Sequence, residues 1–198
     1  FLVFGFFLIG QALPKSLMDQ WEDVDSEIKK GLPKTAIEKI DPLIKQALKD
    51  GSHAVAIRAI CQKINLEGAI QGNKAEEKIT RLEEEITKAP EALKPLMRAV
   101  LSNWYWQYFQ QNRWRFAQRT RTAEAPGEDI TTWDLSRILS EIDKQFQKTL
   151  SYHEVLKKQA IGDYDFLLNK GNVPESYRPT LYDFPVSYTH LRAHETVV

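Results

Sequence analysis

Apolar residues recur along this chain at helical spacing, and polar punctuation divides them into six main segments. Leu17, Trp21, Val24 and Ile28 are separated by 4, 3 and 4 positions, which places them on one face of a first helix. Ser16 stands where it can cap that helix, with Asp19 at the capping-box position. Gly31 then Pro33 is the stop-and-start pair expected of a helical hairpin. A second helix carries Ala36, Ile40, Leu43 and Ala47, with Pro42 inside it, where a kink near Asp41 is expected. Asp50-Gly51-Ser52 makes a turn whose Ser52 can cap a third helix through Ala56, Ile60, Cys61 and Ile64, ended by Gly72-Asn73. A fourth, from Lys74 to Ala89, rests on Ile79, Leu82 and Ile86 and shows an outer face with i, i+4 pairs such as Glu77–Arg81.

Beyond Pro90 a fifth helix has a wide apolar stripe from Leu93 to Tyr108 that runs into "YWQYFQQNRWRFAQRTRT", residues 105–122. A turn-forming loop follows, and Thr131 or Thr132 can cap a sixth helix bearing Leu135, Ile138, Ile142 and Phe146. The remainder reads as two short helices and an extended link, with Thr180 as the cap of a last helix near Phe184. No alternating run long enough for a strand occurs. The expected fold is all-α: antiparallel helical hairpins packed as a bundle or a tetratricopeptide-like array, without a clean 34-residue repeat.

The two ends depart from this pattern. Eight of the first nine residues are large and apolar, too few to span a bilayer as a helix but suited to the core of a secretory signal. Residues 1–15 are therefore expected to be a truncated signal-like segment, with no other membrane association. Residues 185–198 break the helical pattern and resemble a translated adapter tail, so a non-native end is expected there. His190 and His194 have an i, i+4 spacing beside Glu195, but in such a tail no metal site is expected. The domain proper is residues 16–184.

Charge removes some functions. Of the 198 residues, 27 are basic and 27 acidic, so no global field draws the chain to nucleic acid or anionic lipid. The one local candidate is the 105–122 stretch, where Tyr105, Trp106, Tyr108, Phe109, Trp114 and Phe116 overlap Arg113, Arg115, Arg119 and Arg121. Aromatics beside arginines can stack on bases and pair with phosphates. Here Trp104, Tyr108 and Gln111 share a face with Met97 and Leu101, which points the rings to the core. If the helix continues, Arg115 and Arg119 share a face, and the arginines brace the next turn against Glu128, Asp129 or Asp134. Nucleic acid is not an expected partner.

Catalysis has little to build on. His53 and His153 read as exposed helix residues, and Glu83, Glu84 and Glu85 are consecutive and point apart. Cys61, the single cysteine, lies on an apolar stripe as a small buried hydrophobe. No catalytic, cofactor-binding or metal-binding residue is assigned, and the chain is not expected to be an enzyme.

Four blocks, "WEDVDSEIKKGLPKTAIEKIDPLIKQA", "YWQYFQQNRWRFAQRT", "TTWDLSRI" and "YRPTLYDF", occur in this order. Together they resemble the N-terminal helical region of the large bacterial alpha-2-macroglobulin-like proteins, over about residues 16–184. The resemblance implies an exported protein of the periplasm or cell envelope. Full-length relatives are protease-trapping inhibitors built mainly from β-sandwich domains, many with a thioester in a C-x-E-Q motif. Cys61 is followed by "QKI", so no site residue carries over. The implied role is a non-catalytic helical domain of a protease inhibitor, with the remaining domains of the same chain as partners and proteases met through the whole protein. The alternative is a free-standing helical-repeat module for protein–protein interaction.

Overall fold

In the computed structural model, residues 15–119, 127, 129–164, 166–167 and 179–183 are described. The helices are α1 (Lys15–Lys29), α2 (Pro33–Lys49), α3 (His53–Ile70), α4 (Ala75–Lys88), α5 (Lys94–Gln111), α6 (Arg113–Gln118), α7 (Leu135–Leu150) and α8 (His153–Leu156). Single 3-10 turns lie at Ile130–Thr132 and Ile161–Tyr164. No strand occurs among the described residues, only an isolated antiparallel bridge between Ala160 and Thr180. The all-α expectation holds. The signal-like segment and the tail, including His190, His194 and Glu195, lie outside the described residues.

The helices pack in chain order: α1 on α2, α2 on α3, α3 on α4, α4 on α5, and α5 on α7. Each turn between them is short because its backbone closes on the preceding helix. At the end of α1, Gly31 has φ of +73°. Its N–H donates to the Ile28 carbonyl at 3.0 Å, and that of Leu32 to Glu27 at 3.0 Å. The same closure recurs after α2, where Gly51 has φ of +68° and the Ser52 N–H reaches the Ala47 carbonyl at 2.8 Å. Both are left-handed helix endings that a side chain would strain. They turn the chain back so that successive apolar stripes face one another.

The stripes form one core. Leu17, Trp21 and Val24 of α1 meet Ala36, Ile40, Leu43 and Ala47 of α2, all buried. An ion pair adds to this contact: Glu27, itself buried, accepts from Lys39 of α2 at 2.8 Å and from Lys30 at 3.2 Å. Pro42 leaves α2 assigned without a break from Pro33 to Lys49. It removes one donor, yet both Pro42 and Glu38, whose carbonyl loses that donor, are on the exposed side, where water can replace the bond.

The helix starts differ from the expected ones. α1 already includes Ser16, so that serine is not its cap. Ser52 holds the N-cap position of α3, but its side chain makes no capping bond. Thr131 and Thr132 belong to a 3-10 turn, with Asp129 accepting the Thr131 N–H, and α7 begins later. Its cap is Asp134, whose carboxylate accepts from the Arg137 N–H at 2.7 Å. The intervening turn buries Ile130 and Trp133, and this displaces the helix start towards the C-terminus. Asp134→Ala is expected to cost about 1 kcal/mol, read as a lower urea midpoint, with Thr131→Ala costing less. Pro95 lies in the first turn of α5, as expected. Thr180 donates its N–H and its hydroxyl to Asp183 at 2.9 and 2.8 Å, and Phe184, where its helix is expected to run, lies outside the described residues.

Candidate functional site

The aromatic and basic stretch is not one helix. α5 ends at Gln111, and Asn112 turns its side-chain amide back to the Tyr108 carbonyl at 2.9 Å. After this one-residue break α6 begins, and Phe116, fully buried, meets Tyr108 and Phe109 with ring centroids 6.0 Å apart in each case. Tyr105, Trp106, Tyr108 and Phe109 are buried as well, and Tyr105 stacks parallel to Trp133. Trp114 alone of the six rings faces outward, 66% exposed. The periodicity placed Tyr105 and Tyr108 correctly in the core, while Trp104 is half-buried and Gln111, expected on the same face, is exposed. The condition set for Arg115 and Arg119, a helix continuing past residue 111, is not met, because Asn112 interrupts it.

Arg115 and Arg119 brace the turn by direct bonds to groups other than Asp129 and Asp134, and Asp129 feels both only at longer range. Arg119 donates to the Trp133 carbonyl at 2.8 Å. Arg115 donates to the Tyr108 hydroxyl and lies 5.5 Å from the centre of the Phe116 ring. Asp129 and Asp134 are occupied with Thr131 and with the start of α7. Thr131 is also the main reason that the Asp129 carboxyl is held below its ordinary range. Arg113 stays exposed, while Arg121 and Glu128 lie outside the described residues.

Because each helix packs on its chain neighbours, helices two apart flank open grooves. One groove lies between α2 and α4 over α3, about 650 Å³ in volume. Its charges are matched internally: Lys63 pairs with Asp41 at 2.6 Å and Arg81 with Glu67 at 2.8 Å. The expected Glu77–Arg81 pair is absent, because Arg81 turns across to Glu67 of α3 and to Gln71 just after it, while Glu77 accepts from Lys74. Tertiary packing here overrides the local i, i+4 option.

The second groove, about 570 Å³, lies between α3 and α5 with Ile79 of α4 beneath it. Its composition is unusual. Gln62 and Asn65 of α3 face Asn103, Gln107 and Gln111 of α5, beside Trp104 and Tyr108. Arg58 and Lys78 also line it, and no carboxylate does among the described residues. Within α5 only Gln107 and Gln111 are exposed; the rest of that helix is buried or half-buried. The 4-residue spacing of positions 103, 107 and 111 is legible in the sequence. Their juxtaposition with α3 is not.

The groups weighed for catalysis are not assembled. His53 is half-buried at the start of α3, and His153, exposed, pairs with its neighbour Glu154 at 3.2 Å. Cys61 packs partly buried against the core, and burial pushes its thiol up to about 12, far from a reactive thiolate. No group of three or more His, Cys, Asp or Glu among the described residues is placed to hold a metal ion. No helix among them is long and apolar enough to cross a membrane.

A seam of polar groups between α4, α5 and α7 has a clear electrostatic character. Glu83 accepts from the Tyr105 hydroxyl at 3.0 Å, and Glu141, buried, accepts from Gln145 at 2.7 Å and Lys144 at 3.1 Å. Desolvation raises the Glu83 carboxyl above its ordinary 4.5, opposed in part by the bond from Tyr105. Glu27 is lowered from the same value, first by Lys39 and then by Lys30. These shifts have opposite linkage. The contribution of Glu83 is fully present below pH 4.5 and is lost as pH rises through its raised folded value. That of Glu27 is present above 4.5 and is lost as pH falls through its lowered value. Glu83→Gln is therefore expected to gain stability relative to the parent as pH rises from about 4 to about 7, whereas Glu27→Gln loses it, measured as urea midpoints across that range.

Comparison with protein-family models, with curated proteins and with solved structures gave no match.

Proposed function

We propose that the chain is a non-catalytic helical interaction domain of an exported bacterial alpha-2-macroglobulin-like protein. Its task is to hold polypeptide, in the remaining domains of the same chain or in a partner, rather than to transform a substrate. The observation that carries the interaction role is the open array. Helices that pack in chain order leave grooves on the faces of α3 and α4, as surfaces of repeat proteins do. The four sequence blocks support the family. Two described arginines of the 105–122 stretch are tied inward, which argues against a polyanion surface there.

The test is inhibition. The 198-residue chain, mixed in equimolar amount with trypsin or subtilisin, is expected to leave the digestion of casein unchanged, since it lacks a C-x-E-Q motif. Stoichiometric inhibition by this chain alone overturns the reading. The alternative, a free-standing interaction module, is favoured by the same grooves and is separated by sequencing the genomic locus beyond the codon for Phe184. A long β-sandwich reading frame supports the inhibitor; an early stop supports the module.

A further inference from the structure

We infer that the groove between α3 and α5 binds an extended, acidic peptide by its main chain, with the carboxamides of Gln62, Asn65, Gln107 and Gln111 as the contacts. A carboxamide carries both a donor and an acceptor, the same pair that a peptide unit presents. Four of the five carboxamides lining the groove make no hydrogen bond within the described protein. Spacing fits the same ligand. Side chains four apart on a helix rise by about 6 Å, and equivalent groups of an extended chain recur every two residues, about 6.7 Å. The pair at 107 and 111 therefore stays in step with alternate peptide units over about 6 Å, the length of about two residues.

Polypeptide already sits at one edge. Arg58 donates to the main-chain carbonyl of Phe166 at 2.7 Å, and Leu167 lines the groove. This is capture of a peptide carbonyl by a lining residue, with the same chemistry that the carboxamides offer further along. The charged side chains of the lining, Arg58 and Lys78, are both cationic, which favours an acidic peptide over a basic one. Trp104, half-buried, offers an apolar contact to side chains between the clamped units.

The inference rests on the reading of the chain as an interaction domain, and the two fail separately. Inhibition of a protease sinks the family role and leaves a measured peptide affinity standing. The probe is a fluorescein-labelled octapeptide alternating glutamate and threonine, titrated with the 198-residue chain by fluorescence polarisation. Three companions share its length: lysine in place of glutamate, N-methyl groups on alternate peptide nitrogens, and the original peptide against the double variant Gln107→Ala, Gln111→Ala. The expected result is saturable binding to the glutamate peptide. Each companion should bind about tenfold more weakly, the loss of one or two hydrogen bonds or of charge complementarity. Both glutamines are exposed, so a circular dichroism spectrum like that of the parent is expected of the double variant. The inference is overturned if the N-methylated or lysine peptide binds as tightly as the first. It is equally overturned if the double variant retains full affinity, or if no binding appears at millimolar chain concentration.

Discussion

Phe116→Ala is expected to cost about 3–5 kcal/mol, the largest loss from any single ring in the 105–122 stretch. Two contributions combine. Exposing a phenyl ring in the unfolded chain but not the folded one stabilises the fold by about 1.5–3 kcal/mol, and its removal leaves a cavity that the surroundings fill only in part. At this site refilling is poor because Phe116 is fully buried between Tyr108, Phe109 and the Arg115 guanidinium. Tyr108 and Phe109 sit on α5, which packs on α4 and α7 and cannot shift without disturbing both. The six-residue α6 is too short to persist alone, so burial of this ring is what holds it in place. Trp114→Ala, two residues away and 66% exposed, is the control and should change stability by less than about 0.5 kcal/mol. Urea unfolding followed by circular dichroism separates the two. A loss below about 1 kcal/mol for Phe116→Ala would contradict the burial of this ring.

The second large effect is expected at Arg58. Its guanidinium lies between two rings, 4.4 Å from the centre of Trp21 and 4.0 Å from that of Phe166, and those rings meet edge to face at 5.2 Å. The same group donates to the Phe166 carbonyl, 108 residues away in sequence. Arg58 thus ties α1, α3 and the segment after α8 into one contact, and burial lowers its pKa without discharging a guanidinium. A shielded cation–π contact is worth about 0.5–2 kcal/mol and a charged hydrogen bond about 1.5–3 kcal/mol, with incomplete additivity. Arg58→Ala is expected to lose about 2–4 kcal/mol on those figures. It should also speed proteolysis around residues 166–167, seen by mass spectrometry of limited digests. Arg58→Lys keeps the charge but not the flat stacking surface, so it is expected to recover less than half of the loss. Recovery to the parent value would mean that charge alone holds the segment.

The chain order of helices and most of their inward residues were legible in the amino-acid pattern, because each hairpin is a local matter. Gly31 and Gly51 end helices through their own left-handed conformations, and Leu17, Trp21 and Val24 lie on one face whatever they pack against. What failed did so where distant groups compete with local ones. Arg81 had Glu77 one turn away and bonds instead to Glu67 on the neighbouring helix. Thr131 and Thr132 were plausible caps, yet burial of Trp133 gives that role to Asp134. At Asn112 the helix is interrupted for one residue, yet Phe116 still meets Tyr108 and Phe109, eight and seven positions earlier.

The sequence by itself determined the all-α class, the hairpin punctuation and the inward direction of Tyr105 and Tyr108. Helical spacing and backbone closure are properties of a few consecutive residues. Only the tertiary structure decided which surfaces remain open. The groove of carboxamides needs two helices that are not neighbours in the chain, with Gln62 and Asn65 on one and Gln107 and Gln111 on the other. The Trp21–Arg58–Phe166 contact joins three distant parts of the chain. Periodicity assigns a residue to a face of its own helix, and packing alone decides what that face meets.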